Sequence, residues 1–287
     1  GYVVAVPILV GLTDAIDARR IYLFGVAIGV IGSVGFGLFA DGFISAMAFR
    51  FLTGVSLAGT YMPGLQILND RLAQTHRQKM LPWYLSAFSL GTAASFYITG
   101  LLSADLSWEA VFILSGVAQA ACLALILFVI PPKHPDRSAR ANRHPLDFRP
   151  VFHNRPALAY IWGYTGHSYE LFAYRAWIVA FLLFAANASN TVITLEAVAG
   201  FAALFSLLGM PASIIGAHLC LHRERRQMVS VVMILSVLMG SFLGFIGVLP
   251  FAVVLVLAAL YSALIMSDSA ALTGGVVAAA REGERGA

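Results

Sequence analysis

Val10-Gly11-Leu12-Thr13-Asp14-Ala15-Ile16-Asp17-Ala18-Arg19-Arg20 is a short polar joint between two apolar runs, residues 1–13 and 21–40, with a basic pair just before the second run. Outward from this joint the same alternation recurs along the chain. Apolar segments cover 1–13, 21–40, 43–68, 82–102, 108–130, 156–185, 192–221, 227–248 and 250–278. At 1.5 Å per residue a helix of about 20 residues crosses a hydrocarbon layer of roughly 30 Å. Eight of the nine segments are that long; the first is too short and is expected to begin upstream of Gly1.

Composition agrees. Of 287 residues 60% are hydrophobic and 11% charged, with a mean hydropathy of +0.84, whereas a soluble domain carries about 25% charged residues. A water-soluble fold of this length would need a polar face on each element, and such faces are nearly absent. The reading is an all-α polytopic membrane protein. Cys122 lies inside one apolar run and Cys220 at the basic end of another, in neither a disulfide nor a zinc pattern. The net charge of +4 does not point to nucleic acid, because the basic residues are spread over short joints and form no single patch.

Residues 131–155 break the pattern with five prolines and six basic residues, too polar for a bilayer. The chain is thereby divided into an N-terminal helical half, 1–130, a linker, 131–156, and a C-terminal helical half, 157–287. Sixteen of the eighteen Lys and Arg fall on alternate joints: Arg19 and Arg20; Arg71, Arg77 and Lys79; the linker; Arg223, Arg225 and Arg226; Arg281 and Arg285. Basic residues in short loops stay on the cytoplasmic side, so the linker is cytoplasmic. The opposite joints carry none, and the alternation supports the segment count independently of hydropathy. The remaining two, Arg50 and Arg175, lie within segments.

The opening joint resembles the loop motif of the major facilitator superfamily, a glycine, leucine and aspartate followed by a basic pair, carried here by Gly11, Asp14, Arg19 and Arg20. Val10 stands where the motif's first glycine is expected and Ala15 where an arginine is common. The stretch Gly216-Ala-His-Leu-Cys220-Leu-His-Arg-Glu-Arg225-Arg226 repeats it at an offset of 206 residues, with Cys220 replacing the acid. Arg50, Gly54 and Ala58, on one helical face, are similar to the family's fourth-helix pattern. The resemblance implies two six-helix pseudo-repeats, of which about nine helices, the second to the tenth, are present. One complete helix and the start of the first segment are expected before Gly1, and two helices after Ala287. It also implies a cytoplasmic gating latch at Gly11, Asp14, Arg19, Arg20, Gly216, Arg225 and Arg226, and helix packing at Gly54 and Ala58. On this scheme segments 43–68, 156–185 and 250–278 line a central path, while 21–40, 108–130 and 227–248 are peripheral and face lipid.

An ionisable side chain at the bilayer centre costs about 2.5–3.5 kcal/mol on insertion scales, so those inside helices map function. They are Arg50, His167, Glu170, Arg175 and Asp268. On segment 156–185, Tyr160, Gly163, His167, Glu170, Tyr174 and Trp177 share an arc of about 100°. An acid, an imidazole and aromatic rings on one face can bind a polar solute and take up a proton. The competing reading pairs His167 with Glu170, or with Arg50, purely to fix packing. Arg50 either steadies an anionic substrate, tunes an acid, or bonds backbone carbonyls. Asp268 is either a substrate contact or a solvated helix end. Gly25, Gly29 and Gly32 read as a packing stripe.

The expected function is a secondary active permease that moves a small solute by alternating access, with protons as the coupling ion. No enzyme activity, cofactor, metal or nucleic-acid partner is expected, and the chain is expected to act as a monomer in the bilayer of a bacterial inner (plasma) membrane. Two alternatives stand beside this. One is a transport-inactive sensor or scaffold with the same fold. The other is a membrane enzyme using His167 and Glu170, which offers too few ligands for catalytic zinc.

Overall fold

The computed structural model describes residues 1–13, 15–133, 152–222 and 224–279, and all regular structure among them is helical. In chain order the helices are α1 (Tyr2–Leu12), α2 (Ala18–Phe39), α3 (Phe43–Arg71), α4 (Gln74–Asp105), α5 (Trp108–Val129), α6 (Arg155–Ala188), α7 (Leu195–His222), α8 (Arg225–Ile246), α9 (Phe251–Ser267) and α10 (Ser269–Ala279). Eight stretches are long and apolar enough to span a membrane, with α9 and most of α10 forming the last, Phe251–Val276. Large apolar side chains cover the outside: Phe128 is 89% exposed and Ile44 84%. Such a surface suits lipid and not water.

The chain forms two compact units, Gly1–Tyr84 with Asp105–Asp147, and Leu85–Ala104 with Phe148–Ala287. This division differs from one drawn at the linker, because the later part of α4 packs with the second unit: Phe96 lies on that unit's core and Gly100 sits against Ala199.

In the first unit α2 packs against both α3 and α5. Small residues permit this, since lipid supplies no hydrophobic drive between helices and close packing must hold them together. Gly25 and Gly59 meet backbone to backbone, so a Cβ on Gly25 would stand 2.8 Å from the Gly59 carbonyl carbon. Further along the stripe Gly29 abuts Ser56, and Gly32 abuts Thr53. Gln119 Nε2 donates to Ser33 Oγ at 2.8 Å, joining α5 to α2. Helix α1 lies on α3, with Gly54 against the Tyr2 backbone and Ala58 buried among Ala5, Leu9 and Ile21.

The second unit is built around Ile178, Leu182, Val198, Ala202, Phe205, Val254, Ala258 and Ile265 from α6, α7 and α9. The last apolar segment is not one uninterrupted helix. It breaks at Asp268, between α9 and α10. At this break Gly216 of α7 abuts the Ser267 backbone so closely that a methyl group on it would overlap the carbonyl oxygen.

Candidate functional site

Helix α6 starts from Asn154, whose Oδ1 accepts the Ala157 N–H at 3.2 Å and whose Nδ2 donates to the Ala279 carbonyl at 2.8 Å. Its face then carries the candidate residues to different neighbours. Tyr160, near the start, packs on Gly275 of α10. His167 is 3% exposed and Asp268 4%. Their Nδ1 and Oδ1 atoms lie 2.7 Å apart, although neither completes a well-directed hydrogen bond. Tyr164 lies beside the imidazole, ring centroids 5.5 Å apart. Asp268 is therefore neither a solvated helix end nor exposed to a solute. It sits at the α9–α10 break and faces α6.

One turn further, Glu170 turns elsewhere. Its Oε1 accepts from Ser236 Oγ at 2.7 Å and from Tyr261 Oη at 2.8 Å. Three helices, α6, α8 and α9, thus converge on one carboxylate oxygen near the middle of α6. Beside it is a groove of about 480 Å³ whose lining includes Tyr169, Glu170, Tyr174, Met233 and Tyr261. Tyr174 is buried and donates to the Ala258 carbonyl at 3.3 Å, and its ring meets that of Tyr261 edge to face at 5.4 Å. Trp177 is 71% exposed and lies outside the lining.

These positions replace two readings of the sequence. His167 and Glu170 do not pair with each other or with Arg50, because Asp268 takes the first and two hydroxyls take the second. Helix α8 is not wholly lipid-facing, since Ser236 is 2% exposed and bonded to Glu170. A lone serine in an apolar run carries no charge to mark it, and Tyr261 reads as one aromatic among many. Arg50 is directed to α2 and α5, where its guanidinium lies 4.7 Å from the Phe36 ring centroid and 4.8 Å from that of Phe112. Stacking on two aromatic faces stabilises the cation without a carboxylate. Among the described residues no group of three or more His, Cys, Asp or Glu is arranged to hold a metal ion.

The opening joint builds a second constellation. Asp14 lies outside the described residues. The acid at work among the described ones is Asp17, which caps α2 by accepting the Arg19 N–H at 3.0 Å. It also accepts from Arg71 Nη2 at 2.9 Å and from the Lys133 N–H at 2.8 Å. Arg71 donates to the Pro131 carbonyl at 3.1 Å, Arg19 donates to that of Leu127 at 3.0 Å, and Lys133 Nζ donates to that of Asp70. The start of the linker is thereby fastened to the ends of α2, α3 and α5. Gly11 lies in the last turn of α1, and Arg20 is exposed. In the repeat, Gly216 packs on the Ser267 backbone, Arg225 donates to the Gly274 carbonyl at 3.0 Å, and Arg226 is exposed.

Burial pushes the Asp17 carboxyl up, but the Lys133 and Arg19 N–H groups and the Arg71 guanidinium outweigh it and hold the group below the usual carboxylate range. Asp70 goes the other way, because burial prevails over Lys133 and Arg71. Since the folded pKa of Asp17 is depressed, its contribution is complete above the unfolded value and is lost as pH falls through the folded one. Asp17→Asn should cost the first unit about 1–3 kcal/mol. It should also remove part of the acid-side loss of stability, as read from thermal unfolding of purified protein at several pH values.

Set against known sequences, the profile of the Major Facilitator Superfamily matches residues 1–287. The chain belongs to that superfamily. With eight apolar helices of spanning length, this facilitator is an integral membrane protein. Among its relatives is citrate exporter 1 of Yarrowia lipolytica, 21% identical over 150 residues, which are 52% of this chain and 22% of the exporter. Another is the probable sphingolipid transporter spinster homolog 1 of Arabidopsis thaliana, 23% identical over 133 residues, 46% of this chain and 27% of that protein. The matched stretches thus span about a quarter of each relative's length. The facilitator family and both relatives are transporters, not enzymes. Both relatives are eukaryotic and lend the bacterial inner-membrane expectation no support.

Proposed function

We propose that this facilitator acts as a secondary transporter that moves a small solute by alternating access, with Glu170 as the group that takes up and releases the coupling proton. The observation that carries the proton assignment is the setting of Glu170: a carboxylate near the middle of α6, aimed by Ser236 and Tyr261 at the edge of a groove, with no cationic side chain at ion-pair distance among the described residues. The titratable groups around it are His167, Tyr169 and Tyr174 on α6 and Tyr261 on α9; the lining from α8 has none. The buried His167–Asp268 pair offers a second protonatable station one turn away, at the junction of α9 and α10.

Membership of a transporter family supports the class of function. The joint fastened by Asp17, Arg71 and Lys133, with Arg19 and Arg20, is proposed as the gating element of the first unit, and Arg225 as part of its counterpart in the second. Arg50, Tyr160 and Trp177 are assigned supporting roles on helices of the central path. The working unit is taken as one chain.

In liposomes containing the full-length protein, an imposed pH gradient should drive solute uptake, and Glu170→Gln should abolish that dependence while leaving the protein folded. Uptake indifferent to the gradient in the unaltered protein would remove the proton assignment.

A further inference from the structure

The Glu170 groove also has a chemical preference of its own. A carboxylate near the centre of a membrane helix carries a charge that needs an opposite charge or a polar cavity beside it. Here the two hydroxyls meet only Oε1. The cationic groups that could have answered it are committed elsewhere. Arg175, on the same helix, lies over the Phe88 ring at 5.0 Å, and His167 faces Asp268. The groove beside the acid is aromatic and soft, walled by Tyr169, Tyr174 and Tyr261 with the thioether of Met233, and it contains no Lys or Arg. Its size, about 480 Å³, falls within the range of small-molecule sites. Tyr169 is 80% exposed, so the groove has an open mouth.

We infer that this groove binds an organic monocation, an ammonium or phosphonium centre carrying apolar groups, with the charge against Glu170 and the apolar groups on the tyrosine rings and Met233. Three features fit this class together. The acid supplies the counter-charge, the ring faces attract a cation through their quadrupoles, and the polarisable sulfur adapts to irregular apolar shapes. An anion would meet an uncompensated carboxylate and no cationic donor. A sugar-like solute would find few polar partners beyond Glu170, Ser241 and the Tyr169 hydroxyl, because those of Tyr174 and Tyr261 are already bonded. The inference rests on the reading of Glu170 as the working acid of a transporter, and it adds the class of ligand that the acid recognises.

The test uses tetraphenylphosphonium and tetraphenylborate, which share a shape and differ in the sign of charge, on the full-length protein in detergent at alkaline pH. Calorimetry should find saturable binding of tetraphenylphosphonium, weakened about tenfold or more by Glu170→Gln, and no saturable binding of tetraphenylborate. Tyr169→Ala, at a side chain too exposed to matter for folding, should weaken the cation about threefold or more. Trp162→Ala, at a side chain of similar exposure on the same helix but outside the lining, should keep it. Equal affinity for the two ions, or binding of the cation unchanged by Glu170→Gln, overturns the inference. If Glu170→Gln does not fold, unchanged binding in Tyr169→Ala overturns it. Cation binding that depends on Glu170, in a protein whose uptake ignores pH gradients, would sink the proton assignment and leave the cation site standing. Gradient-driven uptake with no cation binding would do the reverse.

Discussion

Gly216→Ala should be among the most damaging single-methyl changes in the chain. A Cβ at this position would overlap the Ser267 carbonyl oxygen and lie 2.7 Å from the carbonyl carbon. Both are backbone atoms, so no side-chain rotation can make room, and α7 must move away from α9. That movement would reach the neighbouring Ser262 Oγ bond to the Phe205 carbonyl, 3.0 Å in the native packing. It would also disturb the seat of Asp268 one residue beyond Ser267. Overpacking a core by one or two methylenes costs about 1–3 kcal/mol where side chains can yield, and here they cannot, so the upper end or more is expected. The control lies on the same helix. A Cβ on Gly200 would meet nothing within 4 Å, and Gly200→Ala should be neutral or stabilising by up to about 1 kcal/mol through helix propensity. Thermal unfolding of the two variants in detergent checks the pair, and equal midpoints would mean that the α7–α9 approach is not a constraint.

Gly216 also marks how far a sequence reading goes. The repeat at an offset of 206 residues marks it as part of a loop motif, but not as the seat for a helix break at Asp268, 52 residues later. The helix boundaries were legible because a bilayer demands about 20 apolar residues per crossing and leaves basic residues on one side. That logic is one-dimensional. It marked His167, Glu170 and Asp268 as out of place in lipid, which they are, and could not pair them, since partners are set by how α6, α8 and α9 pack. Ser236 and Tyr261 escaped notice because neutral polar groups cost little in a hydropathy count and matter only beside Glu170. Asp17 is not marked by the motif, which draws attention to Asp14, and only the packing of α2, Arg71 and Lys133 reveals the hydrogen bonds that gather on it.

The second large effect concerns the His167–Asp268 pair. Each group is almost fully buried and close to the other at 2.7 Å, so removing one strands its partner. Asp268→Ala should cost about 1–3 kcal/mol or more, the penalty for leaving a buried polar partner unanswered. The pair itself need not stabilise the fold, because replacing both members with apolar residues is often neutral or favourable. Its neighbours Ala271 and Leu272 are already buried and apolar. His167→Leu combined with Asp268→Leu should therefore recover most of the stability lost in the single variant, measured as the unfolding midpoint in detergent. Transport should not recover with it, if the pair is a protonatable station at the junction of α9 and α10. The two readouts separate the roles: a stable double variant that still transports would make the pair a packing device, whereas one that is stable and silent ties the pair to the transport cycle. Glu170 offers an internal comparison, since its hydroxyl partners belong to α8 and α9 and do not involve Asp268. Tetraphenylphosphonium binding in the double variant should accordingly persist, with transport lost at a step after the ligand is held.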